Sequence, residues 1–428
     1  MDAVVLCEVK FGPQAVQAAI DHLIVEKKYR ILGAALIAAE VPEDFALDVP
    51  FVVAPEAEEA VRKAAAEFRT RAIVDVTEAE LADRFRWANQ ALQLGLEVHG
   101  ADYRLWPPAF KGRDLPSVMF VGAGAAAGKT AAIVHLLNSI KDRYRAAAVV
   151  LDLGGPSYAE LVEPGEPATA AARFLAAYRD GRNVGGDHYL IAAATGVPAV
   201  GCPFAGTGLT GVPLDSLLTD AFVFAAEAGG EFVVVEGSGG AMPAAEGEMC
   251  FLVNYQTDPA VLRGFPFAYQ LRRAGAVVAT GFTSRPAAAA VEALRAEVKT
   301  ANAKAAFSYG RLEAEAVGSA PFARGVVVTA RPEEGRTGLA SYWGRKIKGE
   351  VVEVVGAGQF PPAAPLTKVV RRGSDEVGLI VDMAAANLGE WLVWAEAWGV
   401  PVLLTYEVLT PDEPVCDRLV QKAVREAK

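Results

Sequence analysis

Apolar residues in this chain fall in short runs that alternate with stretches where they recur every three or four positions, the signature of strands alternating with helices. Val4–Val9 reads as a strand and residues 13–27 as a helix. Strands at Ile31–Ile37 and Phe51–Ala54, a helix over Glu56–Phe68, a strand at Ala72–Val76 and a helix over Glu78–Leu94 follow. From Ser117 onward, Val118–Val121, Ala147–Leu151, Phe232–Val235 and Ala276–Ala279 are near-continuous apolar runs, as strands buried on both faces of a parallel sheet should be. The alternation continues more weakly through Gly325–Thr329, Val351–Val355, Val377–Val381 and Pro401–Thr405. Pro107-Pro108 and the charged stretch Lys111–Asp114 mark a linker. The pattern predicts an α/β protein in three parts: a Rossmann-like N-terminal domain (1–112), a nucleotide-binding core with a mostly parallel sheet (113–305), and a smaller C-terminal α/β region (306–428).

The core opens on Ser117-Val-Met-Phe-Val-Gly-Ala-Gly-Ala-Ala-Ala-Gly-Lys-Thr130, a strand, a glycine-rich turn and a helix start, which is the context a phosphate-binding loop requires. Backbone amides of Gly122, Gly124 and Gly128 can turn toward a polyphosphate at a helix N-terminus. Lys129 would reach the terminal phosphates and the Thr130 hydroxyl would ligate Mg²⁺, which makes ATP the expected nucleotide. Five residues separate Gly122 from Gly128, one more than the strict pattern allows, and this longer spacing resembles the loop of dethiobiotin synthetase. Glu231-Phe-Val-Val-Val-Glu-Gly-Ser-Gly-Gly240 puts Glu236 at the carboxyl end of a second buried strand, where it could share the cation with Thr130. Asp152, after the strand Ala147–Leu151, is read equally well as an acid near the metal and as the cap of a turn through Gly154-Gly155-Pro156. Arg182, with Asp187 and His188, and the loop from Gly201 to Gly208 are candidates for the substrate pocket, with ordinary surface polarity as the alternative. Arg84 and Arg86 suit phosphate contacts by chemistry but fit a solvated helix face better.

Charge and cysteine usage narrow the classes. A net charge of −11 argues against a nucleic-acid surface, so an anionic ligand would have to be met by local basic residues. Cys7, Cys202, Cys250 and Cys416 are scattered without metal-ligand spacing, which suggests a reducing cytoplasm. The longest uncharged run, between His188 and Asp215, is broken by glycines and prolines and does not read as a membrane helix.

Several stretches together resemble the cyclic 2,3-diphosphoglycerate synthetase family. They are Arg84-Phe85-Arg86-Trp87-Ala88, Gly100–Pro108, the phosphate loop, Gly181-Arg182 with Asp187-His188-Tyr189, Gly196–Cys202, and Val235–Gly239, in that order over roughly the first 280 residues. The resemblance implies an ATP- and Mg²⁺-dependent ligase that joins the two phosphates of 2,3-bisphosphoglycerate into an internal anhydride and releases ADP and phosphate. It also implies a homodimer. Catalytic roles would fall to Lys129, Arg182 and Asp152, nucleotide contacts to Gly122, Gly124, Gly128, Lys129 and Thr130, and metal contacts to Thr130 and Glu236. The chain departs from the family where it has Ala125-Ala126-Ala127 in the loop, Pro203-Phe204, and Cys7-Glu8-Val9-Lys10 after the first strand, positions at which the family is more polar or basic. These losses favour, as an alternative, a related kinase or ligase for a less charged small acid. A nucleotide-operated switch or metallochaperone is a third reading, opposed by the absence of a lysine at positions 123–127.

Overall fold

The computed structural model describes residues 1–101, 103–107, 115–124, 127–152, 156–203, 215–240, 242–264, 266–281, 288–331, 333–360, 377–385 and 387–426. The expected linker at 111–114, Asp102, Ala125-Ala126, the turn glycines Gly154-Gly155 and the loop Phe204–Gly208 lie outside the described residues.

The first part builds β1 (Asp2–Glu8), α1 (Pro13–Val25), β2 (Arg30–Ile37), β3 (Phe51–Ala54), α2 (Ala57–Phe68), β4 (Ala72–Asp75), α3 (Leu81–Gln93), β5 (Glu97–His99) and β6 (Arg104–Leu105). The strand order is β3-β2-β1-β4-β5-β6, parallel except for the β5–β6 pair, which is the doubly wound order with its reversal between β1 and β4. Ala3 to Cys7 are buried on both faces because α1 covers one side and α2 with α3 the other, which is why β1 reads as an unbroken apolar run.

The remainder contributes β7 (Ser117–Gly122), α4 (Lys129–Ile140), β8 (Ala146–Asp152), β9 (Glu160–Val162), α5 (Ala170–Arg179), α6 (Asp187–Thr195), β10 (Ala199–Pro203), α7 (Asp215–Glu227), β11 (Phe232–Glu236), β12 (Glu248–Asn254), α8 (Phe267–Arg273), β13 (Ala276–Gly281) and α9 (Ala288–Ala301). Beyond these lie β14 (Ala306–Ala316), β15 (Arg324–Thr329), α10 (Leu339–Lys346), β16 (Glu350–Gly356), β17 (Val377–Asp382), α11 (Leu388–Ala397), β18 (Val402–Pro411) and α12 (Val415–Glu426). Among the described residues they form one sheet of order β16-β15-β17-β18-β14-β13-β12-β7-β11-β8-β10-β9. The nucleotide-binding core and the smaller C-terminal α/β region, expected on either side of residue 305, therefore share a single sheet, because β14 pairs in parallel with β13 on one side and antiparallel with β18 on the other.

That antiparallel joint reverses the direction of everything beyond it. β15, β16, β17 and β18 are parallel to one another but opposed to β14. Gly281, at the end of β13, pairs with Arg311 of β14. Asp382, at the end of β17, pairs with Thr405, which in turn faces Ala316. The carboxyl ends of the two half-sheets consequently point toward each other, five residues apart along β14 (311 to 316). At the usual strand rise that is a crevice of about 17 Å.

Helices α4, α5, α6, α11 and α12 pack on one face of the sheet, and α7, α8 and α9 on the other. α10 covers the β15–β16 end of that second face through Leu339 and Trp343. The N-terminal unit docks through α3, where Gln90 and Gln93 accept hydrogen bonds from Arg272 of α8. No helix among the described residues is long and apolar enough to cross a membrane.

Candidate functional site

The strand and helix on which the loop depends are set by burial. β7 is buried along its whole length and sits between β11 and β12, so the chain leaving it emerges at the middle of the carboxyl edge of the core half-sheet. α4 is anchored by Ile133, Leu136, Leu137 and Ile140, which places its first turn under that edge.

Gly122 is required by crowding. A Cβ there would lie 2.8 Å from the Ala127 Cβ and 2.9 Å from the Leu252 carbonyl oxygen, closer than van der Waals contact permits. Gly128 is required by conformation, with φ at +78°, and Gly124 has φ at +109°. The Thr280 hydroxyl, from the end of β13, donates to the Ala127 carbonyl at 2.8 Å and fixes the loop from the side. The N-terminus of α4 has no side-chain cap and no acidic residue in its first turn, so its amides keep their affinity for an anion.

Lys129, Thr130 and Glu236 converge at this edge. The Lys129 side chain is 4% exposed, and its Nζ donates to the carbonyls of Gly124 at 3.1 Å and Gly239 at 3.0 Å. These two contacts tie the loop after β7 to the glycine turn after β11. The Thr130 hydroxyl donates to Glu236 Oε1 at 2.8 Å, across 106 residues of sequence. Glu236 is buried at the end of β11, whose register pairs it with Phe120 of β7. The turn that follows Glu236 is held in place by Gln270 of α8, whose amide donates to the Gly240 carbonyl at 2.7 Å. A hydroxyl and a carboxylate in hydrogen-bond contact form an all-oxygen donor pair, which suits Mg²⁺ rather than a softer metal. Among the described residues no group of three or more His, Cys, Asp or Glu side chains could hold a metal by itself. A cation at Thr130 and Glu236 would therefore draw its other ligands from phosphate and water, as Mg²⁺ usually does.

The remaining predicted residues lie elsewhere. Asp152 ends β8, in register with Pro203 of β10, and its side chain is outside the described residues. Arg182 sits at the β9 edge of the sheet, where Nη1 reaches Glu160 at 3.2 Å. The His188 ring, then Tyr189 and Arg182, hold the Glu160 carboxyl below its usual range. β9 is the fourth strand from β7 in the order β7-β11-β8-β10-β9, roughly 19 Å away at the usual strand spacing, so Arg182 is not brought to Lys129. Arg84 pairs with Asp75, and Arg86 with Glu58 and Asp83, all within the N-terminal unit. Thr280 and Gln270 carry no sequence signal of their own. Only the packing of β13 and α8 against the two glycine turns reveals them.

Residues 117–307 match the family described as "Cyclic 2,3-diphosphoglycerate synthetase, P-loop domain". Two curated relatives are cyclic 2,3-diphosphoglycerate synthetases. That of Rubrobacter xylanophilus is 31% identical over 229 residues, 52% of each chain. That of Thermococcus kodakarensis is 28% identical over 241 residues, 55% of each chain. The chain thus spans about half the length of the curated relatives it matches. Among solved structures, the "apo" form of LpxK from Aquifex aeolicus in complex with ATP aligns with a TM-score of 0.43 at 11% identity, covering 75% of this chain and 91% of that one.

Proposed function

We propose that this chain, whose residues 117–307 match the P-loop domain of the cyclic 2,3-diphosphoglycerate synthetase family, uses ATP to close the two phosphates of 2,3-bisphosphoglycerate into an internal phosphoanhydride. The observation that carries the nucleotide half is the convergence of Lys129, Thr130 and Glu236 on one strand edge, with the Thr130–Glu236 contact at 2.8 Å. The substrate half rests on the family.

The chemistry follows from phosphoryl transfer. An oxygen of one substrate phosphate attacks the γ-phosphorus of ATP, the bond to the β-phosphate oxygen breaks, and ADP leaves. An oxygen of the second substrate phosphate then attacks the phosphorus of the first, expelling inorganic phosphate and closing the ring. Lys129 opposes the negative charge on the transferred group, and the amides of the loop and of the α4 N-terminus fix its orientation. Thr130 and Glu236 would hold Mg²⁺, which supplies charge neutralisation on the phosphate oxygens. Glu236 also positions Thr130, and the glycines after it allow the substrate to approach the backbone.

The test is ³¹P NMR of the full chain with ATP, Mg²⁺ and 2,3-bisphosphoglycerate. A new phosphoanhydride resonance rising in step with ADP and free phosphate is expected. Bound ATP without that resonance would remove the substrate and leave a kinase or ligase for a less charged acid. The alanines at 125–127 and Pro203 favour that second reading.

A further inference from the structure

The crevice between the two half-sheets holds a pocket that no predicted site residue touches. Its volume is about 360 Å³, and Arg311, Glu313, Arg331, Gly338, Tyr342 and Arg345 are among its lining residues. Three guanidiniums line it against two carboxylates, Glu313 in the lining and Glu407 behind Arg331, which leaves an excess of positive charge in a chain whose net charge is −11. Two of the three are already oriented by carboxylates. Arg331 Nε donates to Glu407 of β18 at 2.8 Å, and Arg311 pairs with Glu313. The backbone that presents Arg331 is held as well. The Ala330 amide donates to Asp382 Oδ2 at 3.1 Å, and the Arg331 amide to the Thr329 hydroxyl at 3.1 Å. The eight-residue helix α10 begins at this pocket, after Gly338 with φ at +83°, and adds the positive end of its dipole.

The pocket is also joined to the phosphate loop. Leu312 lies between Arg311 and Glu313 on β14, and its Cδ2 is 3.3 Å from where a Cβ on Gly128 would stand. Arg311 is level with the last residue of β13, the strand whose Thr280 fixes the loop. Arg331 comes from the opposite side, two residues past the end of β15. The pocket and the phosphate loop are thus neighbours through Leu312, which lines the one and touches the other.

We propose that this pocket is the acceptor subsite, and that Arg311, Arg331 and Arg345 bind a phosphate or carboxylate group of the small molecule that ATP activates. The planar guanidinium fork matches either oxyanion, and the pocket is large enough for a three-carbon acid phosphate. The anion site stands on the cavity and its arginines. Its identification with the acceptor rests on the function proposed above. Arg182, tied to Glu160 at the β9 edge of the sheet, does not line this pocket.

The experiment titrates ATP and 2,3-bisphosphoglycerate separately into the full-length wild type and the variants Arg345→Gln, Arg311→Gln and Lys129→Ala, with inorganic phosphate and glycerate run beside them to separate phosphate from carboxylate recognition. Each arginine variant is expected to weaken the phosphorylated acid by about tenfold, the usual effect of losing one hydrogen bond to a charged group, and to leave ATP within twofold. Lys129→Ala should do the reverse. If the wild type binds the bisphosphate and both arginine variants bind it equally well, the pocket is not the acceptor subsite, while the function proposed above survives. If the wild type ignores the bisphosphate but binds phosphate or glycerate in an Arg345-dependent way, the subsite stands and the substrate assignment falls. A wild type that binds none of these anions overturns the proposal.

Discussion

Replacing Lys129 with alanine separates fold from function, because the two effects have different sizes. In the folded protein the ammonium is almost fully buried and donates to two carbonyls, those of Gly124 and Gly239. Two hydrogen bonds from a charged donor contribute about 3–6 kcal/mol together. Burying an ammonium without an ionic partner costs several kcal/mol, which is recovered when the side chain is removed. The two terms offset each other to within about 2 kcal/mol, so the midpoint of thermal unfolding should move by no more than about 8 °C. Nucleotide binding has no such offset. Removing the cation from a buried charge pair costs about 2–5 kcal/mol, which is roughly 30-fold to 5,000-fold in ATP affinity or turnover. Calorimetric titration of ATP with Mg²⁺, paired with thermal unfolding followed by circular dichroism, measures both quantities on one preparation. A variant that melts near the wild type and binds ATP within threefold of it would refute the phosphate-loop assignment. A variant that fails to fold would refute the estimate of the offset.

Other perturbations read other parts of the molecule. Thr130→Ala and Glu236→Gln should each raise the Mg²⁺ concentration needed for half-maximal turnover, and the double variant should be no worse than the weaker single one, because the two side chains share one 2.8 Å contact; additive losses would mean that they act apart. Burial pushes the Glu407 carboxyl from 4.5 up to about 7. The native state then holds this proton more tightly than the unfolded chain does, so Glu407 makes stability fall as pH rises from 4.5 through 7, by at most about 3 kcal/mol at 1.36 kcal/mol per unit. Urea melts across that range should show a shallower decline in Glu407→Gln, and parallel curves for the two proteins would count against it. Burial also pushes the Cys7 and Cys202 thiols up to about 12. A disulfide reagent should therefore label native protein at pH 8 far more slowly than protein unfolded in guanidinium, and fast labelling of the native state at either position would contradict the buried assignment.

How much of this was legible in the sequence depended on how each element is buried. The central parallel strands β1, β7, β8, β11 and β13 are covered on both faces and announce themselves as unbroken apolar runs. The glycine spacing with Lys129 and Thr130, and the strand ending at Glu236, were readable because each motif is contiguous. β14 was not. Its sequence, Ala-Phe-Ser-Tyr-Gly-Arg-Leu-Glu-Ala-Glu-Ala, mixes small, charged and aromatic residues, since it runs past the end of β13 into the crevice and is covered only in part. Missing β14 hid the antiparallel joint, and with it the continuity of the sheet past residue 305. β5 and β6, with three and two residues, are too short to show any period. The three arginines of the crevice come from β14, from the loop after β15 and from α10, so no local pattern could have grouped them.

The substrate proposed above raises a problem of charge. Two phosphate groups of charge −2 held 5 Å apart repel by about 3 kcal/mol even at the dielectric of water, and by more in a site from which water is excluded. A bisphosphate acceptor meeting ATP multiplies such pairs. The loop of this chain offers little positive charge beyond Lys129 and the helix amides, because alanines occupy positions 125–127. The antiparallel β14–β18 pair turns the carboxyl ends of β15 and β17 toward those of the core, and Arg311, Arg331 and Arg345 line one pocket in the crevice between them. Positive charge lost from the loop is thus available from the other half of the same sheet. In the acceptor subsite proposed above, this charge would lower the cost of bringing two anions together without competing with Lys129 for the nucleotide.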